Sequence, residues 1–294
     1  MQDPHPSAPR PPFPKQKLEK PGIESEMKLA PKYMAAAYKA ADKLQGKSAL
    51  VTGGDSGIGR AVAVLYAREG ANVAITHLPE EERDALETQR VIESTGRKCL
   101  RIEADLSISN ECRRVVQEVI KQFGTLDILV SNAAHQNSKE TLEEVSEEEW
   151  ELTFKTNVGA YFHLVKASLP HLKAGSSIIA TGSVTGFSGK GSLPDYSSTK
   201  GAIHTFTKSL AQSLLPRGIR VNAVAPGPVW TPLNPADEGR SPEEVAQFGG
   251  SVPMKRPAQP EEIAPAYVFL ASNADSSYIT GVILPELGGE TLAA

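Results

Sequence analysis

Residues 47–59 read KSALVTGGDSGIG, and this stretch determines the fold that we expect for the chain. Its first six residues, 47–52, form a short apolar run typical of a buried strand. The glycines that follow predict a tight turn, and residues 60–69 have a helical composition and end at Gly70, a natural helix C-cap. A strand, a glycine turn and a helix in this order indicate a dinucleotide-binding unit, although the glycines alone are also compatible with a plain turn.

The glycine turn offers the chemistry that a pyrophosphate needs. Glycines let backbone N–H groups approach the phosphate oxygens, and the N-terminus of the following helix adds partial positive charge. The spacing is T-G-x-x-x-G-x-G, which differs from the commoner G-x-G-x-x-G. The predicted cofactor-binding residues of this turn are Gly53, Asp55, Ser56, Gly57, Ile58 and Gly59.

A second motif lies far downstream, where Tyr196 and Lys200 stand four residues apart in the sequence DYSSTK. Positions i and i+4 of a helix share a face, and a nearby cation lowers the pKa of a phenol from its ordinary value near ~10. Ser183 follows an apolar run, 177–182, that predicts a buried strand, and its hydroxyl is suited to hold a carbonyl oxygen. Together the three side chains predict a proton-transfer site for a carbonyl/alcohol pair. A Tyr-Lys pair by itself is also typical of a solvated helix face.

Strands and helices alternate along the chain from Gln45 onward. This alternation predicts an α/β fold, a single doubly wound Rossmann domain with a seven-stranded parallel sheet and right-handed crossovers. The predicted strands are 48–52, 72–77, 98–103, 126–131, 176–182, 218–224 and 280–284, and the predicted helices are 57–69, 80–95, 109–123, 147–170, 194–215 and 260–271.

The carboxyl ends of the strands are where such sheets bind ligands. The residues predicted at these ends are Thr52, His77, Asp105, Asn132, Ser183 and Pro226. Motifs and topology therefore point to one cleft.

Residues 1–44 differ in composition from the domain predicted at 45–294, because eight of the 22 prolines fall within the first 31 residues. Proline excludes regular helix and sheet, so we expect an extended N-terminal arm, with a short helix between Lys28 and Leu44. Apolar residues such as Phe13 and Met27 are potential anchors for it. We expect the arm to pack along the assembled subunits, and a disordered solubilising tail is the alternative.

Composition excludes several functions. A net charge of −4 with no basic block gives no indication of nucleic-acid or acidic-membrane binding. The sequence has no long apolar run that would span a membrane and no secretory signal. Cys99 and Cys112 lack metal-ligand spacing, so we predict no metal site and interpret them as buried free thiols of a cytoplasmic protein.

The ordered set of motifs resembles the classical short-chain dehydrogenase/reductase family over residues 45–289. The N-terminal segment 21–27 and the glycine turn are similar to a narrower, N-terminally extended group labelled glucose/ribitol dehydrogenase-like. Two positions depart from the family pattern: Ala134 replaces a glycine, and Pro285 lies in the last strand, which predicts an edge strand or an early end. The motifs that carry the resemblance are residues 52–59, Asp105-Leu106, Asn132-Ala133-Ala134, Asn157, Ser183, Tyr196 with Lys200, and Pro226-Gly227.

The resemblance implies a role for each of these positions. Asp105 and Leu106 would contact the adenine, although an Asp there is also a common helix cap. Asn157 would be a fourth catalytic residue that orders a relay water, and asparagine inside a helical stretch independently suggests a local break or a polar task. The remaining implied cofactor contacts are Asn132, Ala133, Ala134, Pro226, Gly227, Val229 and Thr231. The family also implies a homotetramer built through the helices at 147–170 and 194–215 and the last strand.

The predicted activity is NAD(P)-dependent hydride transfer on a small carbonyl or alcohol substrate, such as a sugar, polyol or aldehyde. Tyr196 exchanges the proton, Ser183 holds the substrate oxygen, and Lys200 lowers the pKa of Tyr196 and binds the nicotinamide ribose. NAD(H) is favoured because His77, Glu80 and Glu81 stand at the end of the second strand, where an NAD-selective acid usually lies. The alternatives are a non-catalytic cofactor-binding protein and an isomerase or dehydratase on the same fold.

Overall fold

The chain folds around a seven-stranded sheet, as a computed structural model of residues 8–291 shows. The first seven residues of the predicted arm and the last three of the predicted domain lie outside the described residues. The strands are β1 Ser48–Val51, β2 Asn72–His77, β3 Cys99–Glu103, β4 Ile128–Ser131, β5 Ser177–Thr181, β6 Arg220–Pro226 and β7 Ile283–Glu286.

The sheet is parallel throughout and has the strand order β3-β2-β1-β4-β5-β6-β7. This order places the topological switch point between β1 and β4, where a doubly wound sheet opens a crevice for a ligand. Both strands there are short apolar runs, with all of β1 buried, because helices cover both faces of the sheet. The predicted fold class is thereby confirmed.

Ten α-helices lie among the described residues and cover the two faces. Most of the strands and helices expected from the sequence are present, with ends that move by one to three residues. The helices are α1 Gly57–Arg68, α2 Glu82–Ser94, α3 Ser109–Phe123, α4 Glu147–Phe154, α5 Ala160–Ser168, α6 Thr185–Ser188, α7 Pro194–Leu214, α8 Pro242–Ala246, α9 Pro260–Ala271 and α10 Asn273–Ser276.

The core is divided by the sheet into two layers. Helices α1 and α9 pack on one face, and α1 is buried along nearly its whole length. On the other face α3 shows the one-sided pattern of a surface helix, since Cys112, Val115, Val116 and Val119 are its buried residues. Helices α5 and α7 complete this second layer.

The predicted helix 147–170 is interrupted. A π-helical turn, Lys155–Gly159, separates α4 from α5 and has the buried Asn157 at its centre. Such turns insert one residue into the helical ladder and occur frequently at functional sites. The local break that asparagine suggested in this stretch is present.

The predicted last strand, 280–284, forms at Ile283–Glu286 and is an edge strand of the sheet. Pro285 pairs with Ala225 of β6, and its missing N–H faces away from any further strand. The strand therefore tolerates proline, as the sequence predicted for an edge.

The arm, residues 8–44, contains no α-helix within its described part, and the helix expected between Lys28 and Leu44 is wrong. Side chains of the domain bond its backbone donors in place of helical carbonyls: Glu69 accepts from the N–H groups of Ala41 and Lys43. A single 3₁₀ turn, Glu24–Glu26, is its only regular element. The segment follows the surface of its own subunit in extended form.

Among residues 8–291, no helix is long and apolar enough to cross a bilayer. The same residues contain no cluster of His, Cys, Asp or Glu that would hold a metal ion.

Candidate active site

A single cleft of about 960 Å³ runs along the carboxyl edge of the sheet and joins most of the predicted site residues. Its walls come from the loops that follow β1 to β6 and from the arm. Of the predicted catalytic residues, the cleft is lined by Ser183, Tyr196 and Lys200, whereas Asn157 lies behind its wall. The predicted cofactor-binding residues along the cleft are Gly53, Asp55, Ser56, Gly57, Ile58, His77, Asp105, Leu106, Asn132, Ala133, Ala134, Pro226, Gly227, Val229 and Thr231.

The glycine positions of the turn after β1 lie close to neighbouring protein atoms. A Cβ on Gly59 would lie 1.8 Å from the carbonyl oxygen of Gly53, so Gly59 supports the turn from behind the cleft. Gly53 and Gly57 have φ angles of +59° and +49°, which L-residues with side chains rarely adopt. The turn leaves the N-terminus of α1 open to the cleft at Ile58, as a pyrophosphate site requires.

Asp55 is 1% exposed, and its Oδ2 atom has no hydrogen-bond partner among the described residues. Burial raises the pKa of Asp55 to about 6. Its backbone carbonyl accepts a 2.6 Å hydrogen bond from Arg60 Nε. Asp55 thus shapes the turn through its backbone, and its Oδ2 is a buried polar atom beside the cleft without a partner among the described residues.

An unpredicted residue of the arm, Glu24, is built into the same turn. Its carboxylate accepts the Gly57 N–H at 2.7 Å and binds Arg60 Nη1 at 2.5 Å. The side chains of Glu24 and Arg60 are 3% and 5% exposed, so this ion pair is buried. Asp84 of α2 accepts the Glu24 backbone N–H in turn. Sequence reasoning missed Glu24 because its partner lies 36 residues away.

The end of the cleft beside β2 and β3 is lined mainly by His77, Glu80, Glu81 and Asp105. The His77 ring turns inward: its Nδ1 lies 2.8 Å from the Leu78 carbonyl. Asp105 Oδ1 accepts the Ser107 N–H in a local turn, but the N-cap of α3 is Ile108, so the alternative role of Asp105 as a helix cap is wrong. Asp105 lines the cleft, and its contact with the adenine stays a prediction.

Asn132 holds three strand ends together. Its Nδ2 donates to the Thr52 carbonyl at 3.0 Å, and its Oδ1 accepts from Thr181 Oγ1 at 3.0 Å. Thr52 Oγ1 accepts the N–H groups of Asn132 and Ala133. These bonds fix the floor of the cleft between β1, β4 and β5, where Ala133 and Ala134 lie.

Tyr196 and Lys200 lie on the buried face of α7, as their spacing predicted. Lys200 Nζ donates to the Thr181 carbonyl at 2.8 Å and lies 5.3 Å from the centroid of the Tyr196 ring. Burial lowers the pKa of Lys200 to about 7. Burial also raises the pKa of Tyr196 to about 12, and the Ser183 hydroxyl opposes that shift. The expected lowering of the Tyr196 pKa is therefore absent in the protein alone, because removal from water outweighs a lysine that is itself partly neutralised.

His204, four residues after Lys200, was not singled out in the sequence. Its ring stands under the loop that carries Ser183, with Nε2 3.4 Å from the Ser183 backbone nitrogen. Burial, followed by the charge of Lys200, lowers the pKa of His204 to about 4. His204 is therefore neutral and positions the loop as a hydrogen-bond acceptor.

Asn157 is 2% exposed, and its side chain is fully engaged. Its Oδ1 accepts the His135 N–H at 2.7 Å, and its Nδ2 donates to the His135 carbonyl and the Thr199 hydroxyl, both at 3.0 Å. Asn157 thus connects helix α7 to His135, the residue that follows the floor of the cleft. The amide fixes the backbone beside the catalytic residues.

Three comparisons with known proteins show which family the chain resembles. The family model described as Enoyl-(Acyl carrier protein) reductase matches residues 53–291. The chain is 50% identical over 283 residues to the glucose and ribitol dehydrogenase of Daucus carota, covering 94% of this chain and 96% of that protein. It is 48% identical over 279 residues to the chloroplastic NADPH-dependent aldehyde reductase 1 of Arabidopsis thaliana, covering 93% and 96%.

A solved structure is similar as well. The short-chain dehydrogenase of Burkholderia cenocepacia J2315, in complex with NADP, is 34% identical and superimposes with a TM-score of 0.77 over 84% of this chain and 98% of that one. The chain belongs to the short-chain dehydrogenase/reductase family. Within the family it falls in the glucose and ribitol dehydrogenase-like group, so the protein is an NAD(P)-dependent oxidoreductase. The resemblance read from the motifs is confirmed.

Proposed function

We propose that the protein reduces a small aldehyde, or oxidises the corresponding alcohol, with Ser183, Tyr196 and Lys200 as catalytic residues and Asn157 as the residue that positions them. The observation that carries the proposal is the joining of the glycine turn and the Ser-Tyr-Lys group by one cleft. The names of two relatives, an aldehyde reductase and a glucose and ribitol dehydrogenase, agree with this substrate range.

The residues along the cleft suit a nicotinamide dinucleotide. The turn at 53–59 would hold the pyrophosphate, because Gly53 and Gly57 line the cleft and the N-terminus of α1 opens to it at Ile58. Asp105 and Leu106 would border the adenine, and Pro226, Gly227 and Val229 would border the nicotinamide side. Thr231, which lies next to Gly57, would border the pyrophosphate. When bound, the cofactor supplies or accepts the hydride.

The chain itself manages the proton and the substrate oxygen. Tyr196 gives its phenolic proton to the carbonyl oxygen in reduction, and as phenolate it accepts the alcohol proton in oxidation. Ser183 holds the same oxygen, while Lys200 contributes positive charge beside the phenol. Because burial raises the pKa of Tyr196 to about 12, the tyrosine is protonated at neutral pH, which favours reduction.

The direction of the reaction can be tested by its pH dependence. We expect the rate of aldehyde reduction to stay nearly constant, and the rate of alcohol oxidation to rise, as the pH increases from 6 to 10, because Tyr196 with a pKa of about 12 stays protonated over this range while its small phenolate fraction grows. Reduction needs the protonated phenol of Tyr196 and oxidation needs the phenolate. Initial rates in both directions, read from the nicotinamide absorbance, give the two profiles. Profiles that rise together with pH would contradict the role of Tyr196.

We infer a preference for NAD(H) from the charges along the cleft. The cations that line it within residues 8–291 are Lys20, Lys190, Lys200 and Arg240, and acidic residues line the end beside β2. Arg60, the arginine nearest to the glycine turn, is already bound by Glu24. A 2′-phosphate would thus meet Glu80 and Glu81 without a compensating cation. The names of the NADPH-dependent relative and of the NADP complex support the opposite preference for those proteins.

We also propose a cytoplasmic homotetramer. Trp150 and Phe162 of the segment expected at the subunit interface are 41% and 44% exposed, so their apolar surface is available to a neighbouring subunit. Cys99 and Cys112 are free thiols, as is typical of a reducing compartment. Light scattering should give four times the subunit mass, and Phe162→Lys should lower it. A monomeric wild-type protein, or a secreted one in cell fractionation, would contradict the proposal.

The decisive experiment is a substrate panel of sugars, polyols, small aldehydes and acyl thioesters, read by the absorbance of NADH and NADPH. Net turnover of cofactor with an aldehyde or polyol supports the proposal. Product formation without net cofactor turnover would support an isomerase or dehydratase, and binding without any product would support a cofactor-sensing protein.

A further inference from the structure

The arm contributes a charged residue to the cleft. Lys20 lines the cleft together with Pro21 and Gly22, and its Nζ lies 3.5 Å from His135 Nε2. His135 is in turn held by Asn157, which connects to the catalytic helix α7. Lys20 therefore stands at the end of the cleft that faces the substrate.

The position of Lys20 is fixed on both sides by the docked arm. Three residues before it, Lys17 Nζ donates to carbonyl oxygens within residues 237–240. Four residues after it, the buried carboxylate of Glu24 accepts the Gly57 N–H at 2.7 Å. The arm thus connects the loop after β6 to the glycine turn, and Lys20 lies between the two attachments.

Gly22 shows how closely the arm passes the loop. Its φ is +98°, and a Cβ there would lie 2.8 Å from the Ala236 Cβ and 3.0 Å from the Pro232 carbonyl oxygen. A side chain at this position would push the arm away from the loop. Only glycine lets the chain turn here and direct Lys20 into the cleft.

The ammonium group of Lys20 has more N–H donors than its contacts among the described residues use. Its one hydrogen-bond contact among residues 8–291 is the His135 Nε2 atom, which also lies 2.7 Å from Glu149 Oε1. A single ring nitrogen cannot donate to the carboxylate and accept from the ammonium at the same time. Lys20 therefore keeps N–H donors for an acceptor in the cleft.

The charges around Lys20 favour a neutral acceptor over an anion. Burial lowers the pKa of Lys20, and the carboxylates of Glu149, Glu238 and Asp237 oppose that shift. These three negative charges already compensate the ammonium and would repel a carboxylate or phosphate. A hydroxyl group meets a donor in Lys20 without adding charge.

We propose that Lys20 is a specificity-determining residue that donates a hydrogen bond to a hydroxyl oxygen of a neutral, hydroxylated aldehyde or polyol bound beside Tyr196. The inference rests on the proposed function. It adds that the substrate carries a hydroxyl group and that Lys20 of the arm selects for this group. A site built to bond a hydroxyl discriminates strongly against an analogue that lacks it, because its polar groups are then left unpaired.

The test compares D-glyceraldehyde with propanal, which has no hydroxyl groups. We expect the wild-type protein to prefer D-glyceraldehyde in kcat/KM. Lys20→Met should raise KM for D-glyceraldehyde by about tenfold at nearly unchanged kcat, and leave both constants for propanal unchanged. Lys20→Arg keeps the donors and should retain the preference. Lys15→Met, an exposed arm lysine paired with Glu243, is the matched control and should behave as wild type.

The outcomes separate the inference from the proposed function. A Lys20→Met variant that loses activity equally on both aldehydes, or that changes neither, overturns the inference. A selective loss on an anionic aldehyde such as succinic semialdehyde, with D-glyceraldehyde unaffected, also overturns it in favour of an anion site. A wild-type protein that turns over no aldehyde overturns the proposed function itself.

Discussion

The glycine turn at 53–59 and the arm at 8–44 touch each other, yet their structures are specified in different ways. The turn is held by neighbours within a few residues and by the strands beside it, such as the contact of Gly59 with Gly53. The arm depends on distant partners: Phe13 stacks on Trp230 with ring centroids 4.2 Å apart. Local patterns therefore specify the turn, whereas the surface of the folded domain specifies the arm.

The two regions also have different roles in the active site. Proton transfer belongs to the domain, through Tyr196, while Glu24 of the arm bonds the turn and Lys20 of the arm enters the cleft. Variants in the two regions should therefore fail in different ways.

The largest effect is expected at Tyr196. Tyr196→Phe removes the proton-transferring hydroxyl and little volume, so kcat should fall by at least ~10²-fold, the scale of general acid–base catalysis. Cofactor affinity and the melting temperature should remain close to wild type. Steady-state rates and cofactor titration measure both. Tyr278→Phe, at a fully exposed tyrosine, is the matched control. Near-normal turnover by Tyr196→Phe would refute the mechanism.

Cofactor preference tests the role of the domain, and the expected change in kcat/KM is smaller than the loss of kcat at Tyr196. Wild-type protein should have the higher kcat/KM with NADH, and Glu80→Arg should move the NADPH-to-NADH ratio of kcat/KM toward NADPH by about tenfold, because arginine binds a phosphate. Glu143→Arg, at an exposed residue outside the cleft, should leave the ratio unchanged. A wild-type kcat/KM for NADPH tenfold above that for NADH would reverse the assignment.

Deleting residues 1–42 tests the arm as a whole. The deletion removes Glu24 from the buried Arg60 and Phe13 from Trp230, so we expect a loss of about 3 kcal/mol or more in the free energy of unfolding. That corresponds to a melting temperature lower by roughly 6–12 °C. Reduction of propanal through Tyr196 should persist. Calorimetry and light scattering give the result, and an unchanged melting temperature with an unchanged mass would show that the arm is a passive appendage.

The smallest effect concerns the pH dependence of stability at Glu24. Burial raises its pKa from the ordinary 4.5 to about 7, against the opposing effects of Arg60 and the Gly57 N–H, with Asp84 and Asp55 adding to the rise. The folded protein therefore binds an extra proton between these values. This stabilisation is complete below pH 4.5 and is lost as the pH rises through 7.

The wild-type melting temperature should accordingly be higher at pH 6 than at pH 8. Glu24→Gln is neutral at every pH and should reduce that difference by about 2–4 °C, while Glu26→Gln at an exposed arm residue should not. Thermal unfolding at the two pH values measures the difference. An identical pH dependence in Glu24→Gln and wild type would exclude Glu24 as the titrating group.

Apolar runs and glycine turns are local signals, so the parallel sheet and the carboxyl-edge cleft could be predicted from the sequence, whereas the strand order is known from the structure. The sequence also indicated the Tyr196–Lys200 face and the break in the helix at Asn157, because both depend on helical spacing and on the poor helix propensity of asparagine. Pro285 was correctly predicted to lie in an edge strand.

The remaining features depend on contacts that form when the chain folds. The arm takes its path from buried partners remote in sequence, and no periodicity records that Glu24 meets Arg60 or that Lys20 meets His135. The direction of the Tyr196 pKa shift could likewise not be predicted from the sequence, because burial of the phenol and of Lys200 competes with their charge interaction. Spacing along a chain fixes which groups share a face, but desolvation and long-range contacts exist only once the chain has folded.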